Sequence, residues 1–156
     1  MKYFLKGLYI QLWAICLLTI ILFCQTVNSQ DFKISPSLYI IGKGEISDEQ
    51  VIAEGKFTNT SNKKKTYQWY RIKKQLPLDW LVTTCVPGKC YSAEKDSGIF
   101  ILDKGKTGIL DQNFFPNNKS GSAVIEFYVY EKNKKATAVK VDFAVTVIEK
   151  GGLKKE

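Results

Sequence analysis

Two antiparallel sheets packed face to face, with negligible helix, are predicted by three features of the sequence. The first is a period of two. Val51, Ala53, Gly55 and Phe57 alternate with Ile52, Glu54, Lys56 and Thr58; Ala123, Ile125, Phe127 and Val129 alternate with Val124, Glu126, Tyr128 and Tyr130. Val139, Val141, Phe143, Val145 and Val147 alternate in the same way with Lys140, Asp142, Ala144, Thr146 and Ile148. Each segment therefore has one apolar face and one mixed face, as half-buried antiparallel strands require. The second feature is punctuation: "GKGE", "NTSNKKK", "VPGK", "DKGKTG", "FPNNKSGS" and "EKNKK" read as turns and hairpin connections. The third is that no segment sustains a period of 3.6 with caps. Seven or eight short, evenly spaced strands point to an all-β, immunoglobulin-like antiparallel β-sandwich, with a closed barrel as the runner-up.

Taken in order, the strands are expected at 37–41, 51–58, 66–74, 80–85, 98–102, 107–114, 123–130 and 139–148. Ahead of them, residues 1–29 carry Lys2 and Lys6, no acid, an apolar stretch from Ala14 to Cys24, and Val27 and Ser29 at the −3 and −1 positions of a cleavage site. This pattern predicts a helical secretory signal peptide removed before Gln30. Counted back to Gly7 the stretch approaches the ~18–20 residues that span a bilayer, so a retained anchor is the alternative, although Gln11 interrupts it. Lipid attachment at Cys24 is a third reading, opposed by the bulky Phe23. One domain is expected over 30–149, followed by a polar, frayed tail at 150–156. Export, to a periplasmic, outer-membrane-associated or extracellular location, follows from the leader, and no membrane span remains once it is cut.

The whole chain holds 23 basic and 15 acidic residues, a net +8. Without the leader the balance is 21 against 15, a scattered, lysine-rich surface. The densest run, "NKKK" at 62–65, reads as a solvated turn rather than a nucleic-acid patch, and nucleic acid is not an expected partner. Histidine is absent altogether, which removes the commonest general base and transition-metal ligand. Two cysteines with no second ligand pair at metal spacing offer no zinc or copper site, and no glycine-rich loop opens a helix. The acids Asp79, Glu94, Asp96, Asp103, Asp111 and Glu126 fall in turns or on outward strand faces and read as solvated surface. No enzyme activity, metal or cofactor is expected.

"DWLVTTCVPGKCY", residues 79–91, holds Cys85 and Cys90 around a Pro-Gly reversal. In an oxidising compartment these two can reach the ~5.5–6 Å Cα separation of a disulfide. The redox alternative usually needs a CxxC spacing at a helix N-terminus, whereas here the spacing is CxxxxC within strands. Trp80 is expected to pack beneath this loop, with a ligand-stacking role as its alternative.

The succession "GKFTNTSN", "DWLVTTCVPGKCY", "ILDKGKTGIL" and "FFPNNKSGSAVIEFYVYE" resembles immunoglobulin-like modules common in secreted and envelope proteins of Bacteroidetes-type bacteria. The resemblance runs over roughly residues 50–148, and Trp80, Cys85, Cys90 and Tyr91 carry its spacing. It implies a non-catalytic module for adhesion, assembly or spacing at the cell envelope. The cysteine bridge would be local, unlike the inter-sheet bridge of antibody domains, so Trp80 does not take the antibody tryptophan's role.

Two functional expectations follow. The first is a protein-interaction or structural module whose partner is another envelope or secreted protein, with Trp80 and Tyr91 at a fixed loop surface. The second is a glycan- or small-ligand-binding module whose platform would be Tyr67, Trp69, Tyr70 and Arg71 in "KTYQWYRIKK". Because Trp69 and Tyr70 face opposite sides of a strand, only one of them can face the core, and Trp69 is expected there. The sequons at Asn59 and Asn118 matter only in a eukaryotic secretory pathway.

Overall fold

The computed structural model describes residues 30–149; the leader expected at 1–29 and the tail expected at 150–156 lie outside the described residues. Where side chains alternate, strands form: β1 (Phe32–Ser35), β2 (Tyr39–Glu45), β3 (Val51–Asn59), β4 (Lys65–Gln75), β5 (Leu81–Val86), β6 (Lys89–Tyr91), β7 (Ser97–Leu102), β8 (Thr107–Phe115), β9 (Gly121–Glu131) and β10 (Val139–Ile148). The single helical element among the described residues is a 3-10 turn at Lys135–Thr137. Ten strands thus stand where seven or eight were expected, the additions being the short edge strands β1 and β6.

These strands make two five-stranded sheets. The first runs β1-β3-β8-β5-β6 and the second β2-β10-β9-β4-β7. Neighbours are antiparallel except β2 and β10, which pair in parallel from Tyr39 opposite Asp142 to Glu45 opposite Ile148. The chain enters in the first sheet through β1 and reaches the second through β2. Pro36, after a cis Ser35–Pro36 bond, sits at that crossing, where a residue without an N–H costs no ladder hydrogen bond.

"GKGE" is not the turn it was expected to be. Gly42 and Gly44 lie inside β2, because β2 runs close against β3 of the other sheet: a Cβ at Gly42 would meet the Ile52 carbonyl oxygen at 2.8 Å. The glycines serve close approach rather than reversal, and the reversal comes after Glu45.

Odd-numbered positions of β3, β4, β9 and β10 fill the space between the sheets. Phe57 is central at one end, stacked on Phe32 with centroids 5.0 Å apart and edge-on to Tyr67 and Phe100. Trp69, Phe127 and Phe143 continue the core along the second sheet. Loop ends are tied by side chains. Asn59 Nδ2 donates to the carbonyls of Lys63, Leu102 and Asp103, and its Oδ1 accepts from Ser61 N and Oγ. The first sequon is thus an Asx-type turn brace whose amide is consumed in joining two loops.

Candidate functional site

The cysteine hairpin is formed by β5 and β6 around Pro87-Gly88, with Gly88 at φ +79°. Cys85 and Cys90 stand directly opposite each other in the ladder and are joined by a disulfide. Their Cα atoms are 4.0 Å apart, nearer than the expected separation because directly opposed residues in an antiparallel pair come closest. Asn113 Nδ2 approaches Cys85 Sγ at 3.3 Å. Replacing both cysteines with serine removes a short loop closure, so stability is expected to fall by about 2 kcal/mol with the fold kept; urea unfolding of the double variant checks it.

Trp80 does not pack beneath this hairpin. It is buried at the opposite end of β5, about 16 Å along the strand by the rise per residue, beside Pro77 and Gly121. The side chain under the loop itself is Pro87, packed on Gly108, where a Cβ would stand 2.7 Å from the proline ring. The aromatic neighbour of the cystine strand is Trp69, whose ring meets Tyr91 edge-on at 5.1 Å.

The expected ligand platform on β4 is divided by the strand's own alternation. Tyr67, Trp69 and Arg71 point inward and are almost fully buried, at 0%, 1% and 4% exposure. They cannot present a face to a ligand, so three of the four platform residues are structural. Only Tyr70 points outward. Its ring is stacked on Tyr128 at 4.6 Å and 5°, and Lys135 Nζ lies 5.5 Å from its centroid. Tyr91 is half-buried: Lys89 Nζ lies 4.8 Å from its ring centroid, and its hydroxyl is bonded to Ile99 of β7.

Arg71 ties the sheets together. From β4 its Nη1 donates to Thr84 of β5 at 2.7 Å and approaches Gln112 of β8 at 3.4 Å; Nη2 donates to the Ala93 carbonyl at 2.9 Å and Nε to Asp96 at 3.0 Å. Burial pulls the guanidinium below its ordinary pKa while Asp96 raises it, and it remains charged. Partial burial pushes the Asp96 carboxyl up, but hydrogen bonds from Lys73 and Arg71 hold it below its usual range.

Several acids expected to be simply solvated are paired. Asp79 meets Lys119, Asp103 meets Lys64, and Glu126 is flanked by Lys74 and Lys140. Asp111 departs furthest: it is 8% exposed and accepts from Gly55 N at 3.0 Å, and burial pushes its carboxyl up. Lys65, expected in a solvated turn, is the first inward residue of β4 and is clamped by Glu131 at 2.6 Å and Asp31 at 3.0 Å. The Glu131 hydrogen bond chiefly raises its pKa, against the opposing effect of burial. Among the described residues no cluster of three or more His, Cys, Asp or Glu could hold a metal ion.

The surface feature that residue-by-residue reading missed is the outer face of the second sheet. Tyr39 and Ile41 on β2, Ile72 on β4, Ile99 and Ile101 on β7 and Ile148 on β10 are all exposed there. Tyr70, Tyr128 and Tyr130 form a half-buried cluster at its centre. The signal was present in the even positions of β4 and β9, but it emerges only when the strand order places those positions side by side.

No protein-family model matches the chain, and no curated protein is similar to it in sequence. Among solved structures, the N-terminal domain of PorA is similar at 13% identity, over 74% of this chain and 95% of that one, with a TM-score of 0.53. The fold is an immunoglobulin-like β-sandwich. The PapD-like domain 7 of human CEP192 also resembles the sandwich, at 12% identity over 78% of this chain and 88% of that one, TM-score 0.46. The periplasmic chaperone SfaE does so at 7% identity over 80% and 59%, TM-score 0.45. At these identities the likeness is one of fold.

Proposed function

We propose that this sandwich is a non-catalytic interaction module of an exported protein, and that it meets a partner protein of the envelope or the exterior through the outer face of the second sheet. The observation that supports this reading is the distribution of exposed apolar side chains. Among the described residues, six of the eleven exposed large hydrophobics lie on that one face, while Ile52, Leu81 and Ile109 are spread over the other sheet and Leu38 and Leu78 lie in loops. Exposed apolar side chains concentrated on one face mark an interaction site more often than ones scattered over a molecule do. Near its centre Lys140 pairs with Glu126 and holds that carboxyl below its usual range despite some desolvation, so burying this pair against a partner leaves no lone carboxylate there.

Glycan stacking on β4 finds less support. Tyr67 and Trp69 are core residues, and Tyr70 is flanked by Tyr128 and Lys135, leaving no broad open ring face of the kind a sugar covers. In a capture experiment with cell-envelope extract, wild-type protein is expected to retain a partner that an Ile41→Lys/Ile72→Lys variant loses at least tenfold. An Ile52→Lys/Ile109→Lys variant, on the opposite face, should retain it. Equal retention by the first variant and the wild type overturns the reading.

A further inference from the structure

We infer that the Tyr91 hydroxyl is a guard on the free edge of β7, and that the surface it guards is a pairing site for a second copy of this chain. The inference concerns backbone groups at the edge and is read as self-association, which separates its test from that of the partner face proposed above although Ile99 and Ile101 belong to both. β7 pairs with β4 on one side only. On its other side the hydroxyl of Tyr91, reaching across from β6 of the first sheet, donates to the Ile99 carbonyl at 2.5 Å and accepts from the Ile99 N–H at 3.2 Å. One side-chain oxygen thus satisfies both backbone groups that a neighbouring strand would take. Its ring is seated over Gly98, where a Cβ would lie 2.7 Å from Tyr91 Cζ and 2.9 Å from Trp69 Nε1; glycine at 98 is what lets the ring in. The position of Tyr91 next to Cys90 fixes the guard to the cystine hairpin.

Backbone groups alternate in direction along an antiparallel strand, so Ser97 and Ile101 present theirs on the same free side as Ile99. Such an edge is a template for pairing. Several observations select a second copy as its occupant. Residues Ser97–Leu102, "SGIFIL", carry no charge in a chain of net +8, so this is a stretch where two copies meet without like-charge repulsion. Antiparallel pairing about a twofold axis at Phe100 sets Ile99 against Ile101 of the second copy and Ile101 against its Ile99. The exposed isoleucines, at 50% and 53%, then cover one another and the two second sheets become continuous. Tyr91 and the incoming strand compete for the same two groups of Ile99, which keeps the wild-type chain from pairing.

Sedimentation equilibrium of the purified protein tests this. The wild type is expected to be monomeric at micromolar concentration. Tyr91→Phe keeps the ring and removes the hydroxyl, and should raise the self-association constant at least tenfold; adding Ile101→Lys should return it to the wild-type value. Tyr91→Phe no more associated than wild type overturns the inference, as does an Ile101→Lys double variant that associates as strongly as the single one. A test without any variant is amide exchange of the wild type: the Ile99 N–H should exchange more slowly than that of Ile101, and equal rates contradict a bonded guard.

Discussion

Arg71→Met is expected to lower stability by about 3 kcal/mol, because the substitution removes the hub of the polar contacts between the sheets while leaving its partners in place. Arg71 donates to a hydroxyl on β5 and to a carbonyl and a carboxylate in the β6–β7 connection, and its side chain is fully buried. Once it is gone, Thr84 and Gln112 still bond each other at 2.8 Å, which limits the loss. The Ala93 carbonyl is left without its donor. Asp96 is half exposed and is rehydrated, which keeps the cost at the lower end of the range for broken buried pairs. Arg71→Lys should recover little, since an ammonium cannot serve several acceptors in fork geometry. The expected readout is a melting temperature lower by about 10 °C and a lower urea midpoint with an unchanged slope. A loss below about 1 kcal/mol would show that the cluster is an incidental contact rather than a brace.

Phe57→Ala should cost more, about 4 kcal/mol, and threatens folding altogether. Phe57 is fully buried, stacks on Phe32 and meets Tyr67 and Phe100 edge-on at 4.7 and 5.0 Å. Its neighbours are aromatic rings from β1, β4 and β7, whose bulk and rigid backbones prevent collapse into the void. Phe57→Leu keeps most of the volume and should cost less than half as much. Unfolding curves of the two variants side by side check both the magnitude and the ratio.

The strands built on strict alternation were legible because burial between two sheets imposes the period directly: β3, β9 and β10 alternate in burial as their sequences do. β1 and β6 are too short to show a period, and pairing with β3 and β5 rather than local propensity makes them strands. Gly42 and Gly44 were misjudged because a glycine at a turn and a glycine under a crossing strand look the same in one dimension. Chain order placed Trp80 next to the cysteine loop, yet extended backbone carries neighbours in sequence to opposite ends of a sheet. Arg71 was read as part of a ligand platform because it stands beside aromatics in the sequence; its buried state depends on Thr84 and Gln112, thirteen and forty-one residues away. The disulfide needed only its own turn and was legible from five residues of separation.

The partner face is tested most directly by site-specific photo-crosslinking in living cells, with benzoylphenylalanine placed singly at positions 41, 72 and 99 on the outer face of the second sheet and at 52 and 109 on the outer face of the first. The account predicts one common protein adduct from the first three positions and none from the last two. Adducts formed mainly from 52 and 109, or equally from both faces, would contradict it.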